Sequence, residues 1–168
     1  MASLVLTLIG DDRAGLVSAV ASAVSEHGGN RSHSEMAELA GKFAGIVLVT
    51  IPEGRVDELV GALEPLHGLL DVTVQRAGAA AAAVTGMTRW SLELLGADRP
   101  GIVSDISGVI ADHGVSIEVF SSITREAPMA GGMLFEATAE LDVPADTDIG
   151  ALRSALEALA HELMVDID

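Results

Sequence analysis

Apolar residues fall in two rhythms along this chain, and the rhythm changes at matching places in each half. Leu4 to Ile9 is a short, branched aliphatic run that predicts a buried strand. Asp11 to Gly15 is polar and turn-like. Leu16, Val17, Val20 and Val24 then recur at helical spacing and give one apolar face. Gly28-Gly29 ends that helix, with His27 in its last turn, where a cation meets the helix dipole favourably. Asn30 to Leu39 reads as extended and Gly41 as a turn. Ala44 to Ile51 is a further strand, in which Gly45 marks a bend or a close backbone approach. Pro52-Glu53-Gly54 separates it from a second helix striped by Val56, Leu59, Val60 and Leu63. Pro65 stops that helix or restricts its final turn, and Asp71 to Gln75 closes the half as a strand.

The second half runs in the same order. Ser91 to Leu95 is a strand, and Ile102, Val103, Ile106, Val109 and Ile110 mark a helical face that Gly114 ends. Strands follow at Ser116 to Thr124 and Met133 to Glu140, separated by a loop at Arg125 to Gly131. Asp142 to Asp146 is loop, Ile149, Leu152, Leu156 and Leu159 line a helix, and Leu163 to Ile167 is a closing strand. Each half therefore predicts β-α-β-β-α-β, the ferredoxin-like order of an α+β fold: an antiparallel sheet with helices on one face. The other face of each sheet needs cover, from the opposite half or from a second chain. The expected domains are residues 1–76 and 89–168, joined by an Ala-rich linker at 77–88 that contains five consecutive alanines.

The agreement between halves extends to the residues. Leu6-Thr7-Leu8-Ile9-Gly10-Asp11-Asp12-Arg13-Ala14-Gly15 returns as Leu92-Glu93-Leu94-Leu95-Gly96-Ala97-Asp98-Arg99-Pro100-Gly101. At an offset of 86 residues, 10 of the 31 positions from 6 to 36 are identical. Each copy must carry one supersecondary unit. What repeats most closely is a polar turn opening a helix, and no complete catalytic constellation repeats with it.

Composition narrows the function. The chain has 168 residues, is 49% hydrophobic and only 2% aromatic, so its cores rest on Leu, Val, Ile and Ala. Nine basic against 25 acidic residues give a formal charge of −16, a field that repels a phosphate backbone, and stacking aromatics are scarce. Direct nucleic-acid binding is not expected. Without cysteine there is no disulfide framework, thiol chemistry or thiolate metal site. Neither a signal peptide nor a membrane span is legible, and a cytoplasmic location is the expectation.

The repeated Gly-x-Asp-Arg-x-Gly turn is the sharpest local signal. Asp98 can cap the helix opening, or pair with a ligand ammonium while the helix amides take the ligand carboxylate. Asp12 offers the same alternatives in the first copy. Pro100 suits a first helical turn, and Gly15 and Gly101 allow close backbone approach. The pattern lacks the glycine spacing of a dinucleotide loop and has no phosphate-binding Gly-Lys-Ser/Thr. His27 and His113 recur at helix ends, where a structural role is expected, and His33 lies two residues before Glu35, which suits a surface or interface role. The histidines at 27, 33, 67, 113 and 161 have no metal-ligand spacing. Asp11-Asp12 alone makes a poor cation shell, and Ser18 and Ser104 sit in no nucleophile-elbow context. No metal, cofactor or catalytic residue is expected.

Gly96-Ala97-Asp98-Arg99-Pro100-Gly101-Ile102-Val103, followed by His113-Gly114-Val115-Ser116-Ile117, resembles the opening of an ACT domain. In the first half Gly10-Asp11-Asp12-Arg13-Ala14-Gly15-Leu16-Val17 and His27-Gly28-Gly29-Asn30 match it. The resemblance covers nearly all of both halves. Their tandem arrangement and total length are similar to the glycine cleavage system transcriptional repressor-like family. What this implies is a noncatalytic, amino-acid-sensing regulatory protein acting through protein–protein contacts, with a place in glycine or one-carbon metabolism. It also implies ligand binding where domains meet, by Asp12, Arg13, Gly15 and Asn30 in the first copy and by Asp98, Arg99, Gly101 and Ser116 in the second. Ser116 is shorter than the asparagine often found there, and Ala14 stands where the second copy has Pro100, so the two sites are expected to differ. Glycine or serine as ligand, a regulatory protein partner and a homodimer follow from the same resemblance. The alternative is a structural or regulatory partner protein that no longer binds a small ligand.

Overall fold

The computed structural model describes residues 1–66, 68–78, 86–127, 131–159 and 164–167. The chain divides into two compact units, Met1–Ala81 and Ala82–Asp168, here called the first and second lobes. The first lobe runs β1 (Ala2–Asp11), α1 (Leu16–Glu26), β2 (Asn30–Leu39), β3 (Lys42–Ile51), α2 (Val56–Leu63) and β4 (Leu70–Arg76). The second runs β5 (Met87–Ala97), α3 (Ile102–Asp112), β6 (Ser116–Glu126), β7 (Met133–Pro144), α4 (Ile149–Ala158) and β8 (Met164–Ile167). The sheet orders are β2-β3-β1-β4 and β6-β7-β5-β8, antiparallel throughout. Each lobe is therefore the βαββαβ sandwich expected from the sequence.

Strand alternation decides which face meets the helices. Leu4, Leu6 and Leu8 of β1 are buried with Val47, Val49 and Ile51 of β3, and both helices of the lobe pack on that face through Leu16, Val20, Val24, Leu59 and Leu63. In the second lobe Leu92, Leu94, Ala139 and Leu141 meet Ile102, Ile106, Ile110, Leu152 and Leu156. The helical stripes are narrower than their apolar residues suggest. Val17, Val60 and Val103 are exposed: α1 and α3 bury only the rows Leu16-Val20-Val24 and Ile102-Ile106-Ile110, and α2 buries Val56, Leu59 and Leu63.

Several strands run past the apolar residues that announced them. Arg125 and Glu126, expected in a loop, pair with Leu134 and Met133, and Asp142 to Pro144, also expected as loop, pair with Arg89 to Met87. Ladder hydrogen bonds extend a strand whatever its side chains, so polar ends of a hairpin read falsely as loop. Asp11 likewise belongs to β1, opposite Lys42. Of the Ala-rich stretch, Ala77 and Gly78 follow β4 and Met87 already begins β5, while residues 79–85 lie outside the described residues, as do His67 and His161.

Gly45 is the close approach its place in a strand suggested. A Cβ there would lie 2.8 Å from Cγ of Met36 and 3.1 Å from the Glu35 carbonyl oxygen on β2.

Candidate functional site: the helix-opening turns

Gly15 and Gly101 are the N-caps of α1 and α3, at φ of 94° and 86°, a left-handed conformation that other residues adopt only at a cost. Both turns are pinned from behind by one backbone bond. The Asp12 amide donates to the Gly41 carbonyl at 2.9 Å, and the Asp98 amide to the Met133 carbonyl at 2.8 Å. The loop is thus moored to the neighbouring hairpin, and the aspartate side chains stay exposed.

Neither aspartate caps its helix. No side chain accepts from the first-turn amides of α1 or α3. Among the described residues the amides of Val17, Ser18, Val103 and Ser104 have no hydrogen-bond partner in the protein. A helix with a side-chain cap looks different: Asp148 opens α4 and accepts from the Ala151 amide at 3.0 Å. The capping alternative for Asp12 and Asp98 is therefore set aside. Two bare, partly positive helix ends remain, each with a carboxylate nearby.

The turns differ in what surrounds them. In the second lobe Asp98, Arg99, Gly101, Val103 and Ser104 border a hollow of about 370 Å³, whose far wall is Ser122, Thr124 and Phe135. Ser122 and Thr124 on β6 were not anticipated. They lie six and eight residues beyond Ser116, and only the strand register brings them beside the turn. In the first lobe Met36 and Glu38 hold the equivalent places, and Met36 packs against the core.

The remaining expected residues separate into groups. Arg99 is engaged elsewhere: its guanidinium pairs with Asp105 at 2.7 Å and donates to the Leu159 carbonyl at 3.2 Å, tying α3 to the end of α4. Arg13 makes no ion pair among the described residues. Asn30 and Ser116 begin β2 and β6, at the far end of the helix from the turn. Asn30 stands opposite Thr50, while Asp11 stands opposite Lys42 at the other end of β3. That is eight strand residues, roughly 27 Å. Ser116 opposite Asp142 and Ala97 opposite Leu134 repeat the separation. Within one lobe, no small amino acid can touch both the turn and the start of the second strand.

His27 and His113 have structural work. Nδ1 of His27 lies 2.7 Å from the Ala23 carbonyl and Nδ1 of His113 lies 2.8 Å from that of Val109. A carbonyl only accepts, so both Nδ1 atoms carry the proton and close the last turn. His33 pairs on the surface with Glu35 at 3.1 Å. Among the described residues no group of three or more His, Cys, Asp or Glu could hold a metal ion, and no helix is long and apolar enough to cross a membrane.

Family models of the ACT domain match residues 2–76 and 90–161. The chain belongs to the ACT-domain family, with two copies in tandem. This tandem ACT protein is 40% identical over 81 residues to a UPF0237 protein of Methanopyrus kandleri, a match covering 48% of this chain and 84% of that one. It is similar over its length to the crystal structure of an unknown protein from Galdieria sulphuraria, at 27% identity and a TM-score of 0.86, covering 99% and 97% of the two chains. It shares its fold with a candidate glycine cleavage system transcriptional repressor, at 17% identity, a TM-score of 0.67 and the same coverage.

Proposed function

We propose that this tandem ACT protein is a noncatalytic amino-acid sensor that regulates through contacts with another protein, and that its working ligand site is the hollow at the opening of α3. One observation carries the reading: the α3 amides lack a cap and face a hollow bordered by Asp98. An α-amino acid presents a carboxylate to the Val103 and Ser104 amides and an ammonium to Asp98. The Ser122 and Thr124 hydroxyls suit a small or hydroxylated side chain, which favours glycine or serine. The first lobe, with Met36 in place of Ser122, serves as scaffold or partner surface. Pairing of two chains and a role in glycine or one-carbon metabolism belong to the same proposal and rest on the ACT resemblance of the sequence.

The test is calorimetric titration of the full-length protein with each common amino acid. Saturable binding of glycine or serine is expected, weakened about ten-fold or more in Asp98→Ala, since a charge-assisted hydrogen bond contributes about 1.5–3 kcal/mol. The same Asp12→Ala change should leave binding unaltered. A fully folded protein that binds no amino acid overturns the sensor reading and leaves a ligand-free regulatory partner in its place.

A further inference from the structure

The helices cover one face of each sheet, and in the second lobe the other face carries an ordered pattern. The ladders of β5 to β8 set Met164, Leu95, Glu136 and Ile123 in one row across the four strands. The next row is Asp166, Glu93, Thr138 and Ser121. Both rows border a hollow of about 640 Å³ on this open face. Ile123 is 59% exposed and Met164 70%, so the first row is a largely bare apolar stripe. The second row is acidic where β5 meets β8. Glu93 and Asp166 stand directly opposite each other, and like charges in that position destabilise a sheet. Arg153 approaches Asp166 only to 3.7 Å, Arg125 is taken up by Glu136, and Glu93 makes no ion pair among the described residues. The first lobe has no such pair. Thr7 faces Thr73 in that register, and Ala37 stands in the place of Ile123.

A sheet face offers side chains and no backbone bonds, so its occupant must bring a backbone satisfied within itself, as an α-helix does. Four strands at about 4.8 Å spacing make a row about 14 Å long, the length of about nine or ten helical residues. The acidic row lies about 7 Å to one side, within reach of a Lys or Arg flanking the apolar stripe of such a helix. A second copy suits this face poorly. On a chain of formal charge −16, twofold pairing of the face brings two acidic rows together. We propose that the open face of β5 to β8 docks a cationic amphipathic helix of a partner protein. Its apolar residues lie on Leu95, Ile123 and Met164, and its Lys or Arg side chains reach Glu93 and Asp166. This names the partner contact of the proposed function and rests on that part of it alone. β6 joins the two surfaces, since Ser122 and Thr124 border the α3 hollow while Ser121 and Ile123 alternate with them onto the open face.

The test uses no amino acid, so its failure and the failure of the sensor reading are separate results. The full-length protein is titrated at low salt with three synthetic peptides of about 14 residues. One is an amphipathic Leu/Lys helix, one its Leu/Glu counterpart, and one a Gln/Lys peptide that keeps the charge without the apolar stripe. Saturable binding of one Leu/Lys helix per chain is expected, and of neither other peptide. Ile123→Ser should weaken it about ten-fold or more through lost apolar burial. Glu93→Gln with Asp166→Asn should weaken it about five-fold or more, while the melting temperature holds or rises because the opposed charges are gone. Asp57→Asn with Glu58→Gln removes the same charge from the exposed first turn of α2 and should change the affinity by less than about two-fold. Methyl resonances of Ile123 and Met164 should shift on titration. No saturation by the Leu/Lys helix, equal affinity for either other peptide, an equal loss in the α2 variant, or undiminished affinity in Ile123→Ser each overturns the proposal. A dimer in sedimentation that Ile123→Ser dissociates assigns the face to a second copy and overturns it too.

Discussion

Met36 stands opposite Gly45 in the first lobe where Ser122 stands opposite Ala137 in the second, and that exchange of bulk changes the space beside the helix. In the first lobe the methionine lies over the bare glycine and walls a crevice that follows α1 from Val17 to Ser25 and reaches Gly29 and Arg31. In the second, the alanine takes the room such a methionine would need. Ser122 leaves the opening of α3 uncovered, and Phe120 and Val115 pack at the other end. One backbone plan thus carries two differently placed spaces, and side-chain volume at a few strand positions decides which. Identity of the turns does not make the two lobes equivalent.

The sharpest test of that comparison is the cross-strand pair itself. Gly45→Ala forces a Cβ to within 2.8 Å of the Met36 Cγ, and the strain should cost the first lobe about 1–3 kcal/mol. Met36→Ser alone loses apolar packing, at a cost of about the same order. Together they rebuild the pair of the second lobe, so the double variant should be more stable than the sum of the two predicts, with a coupling of about 0.5–3 kcal/mol. Amide hydrogen exchange at Leu6 and Val47 reads the first lobe. Strict additivity would mean that the two positions do not share the space.

The order of elements was legible because each lobe alternates period-2 and helical runs with glycine or proline between them. The exchange of space was not. Met36 and Ser122 sit in polar strands whose exposed residues gave no inward or outward rhythm, and only the register opposite Gly45 and Ala137 shows that they point at the helix. The turn is marked by its repetition, and of the two roles its aspartates suggest, helix cap or ligand partner, the backbone removes the first. An aspartate before a helix suggests a cap, whereas the left-handed Gly15 and Gly101 occupy the cap positions themselves and leave the amides bare. Asn30 and Ser116 came from the family resemblance, and strand geometry sets them far from the turns of their own lobes.

Helix starts offer the next contrast. Asp148 caps α4, whereas its counterpart α2 is entered from a short 3-10 turn at Glu53–Arg55 and has no side-chain cap. Asp148→Ala gives α4 the uncapped start of α2 and should cost the second lobe about 1 kcal/mol. Fluorescence of Trp90, the sole tryptophan and a residue packed against the second core, follows its urea transition. A midpoint that does not move would show that α4 is held by Leu152 and Leu156 alone.

The smallest expected difference lies at the end of the sheets. Asp11 and Lys42 face each other on β1 and β3 of the first lobe, while Ala97 and Leu134 fill the same register in the second. A hydrogen bond from Lys42, and then its charge, hold the Asp11 carboxyl below its ordinary value of 3.8. A carboxyl whose folded-state pKa is depressed contributes stability above its unfolded pKa and loses it as pH falls through the folded value. Acidification below about pH 4 should therefore remove a contribution from the first lobe that the second never had. Because the pair is fully exposed, the effect should fade at about 1 M salt, where the Debye length is about 3 Å. Lys42→Gln should flatten the acid limb of first-lobe stability at low salt and leave the second lobe unchanged. An acid limb that keeps its slope in that variant would assign the sensitivity to other carboxylates of the lobe.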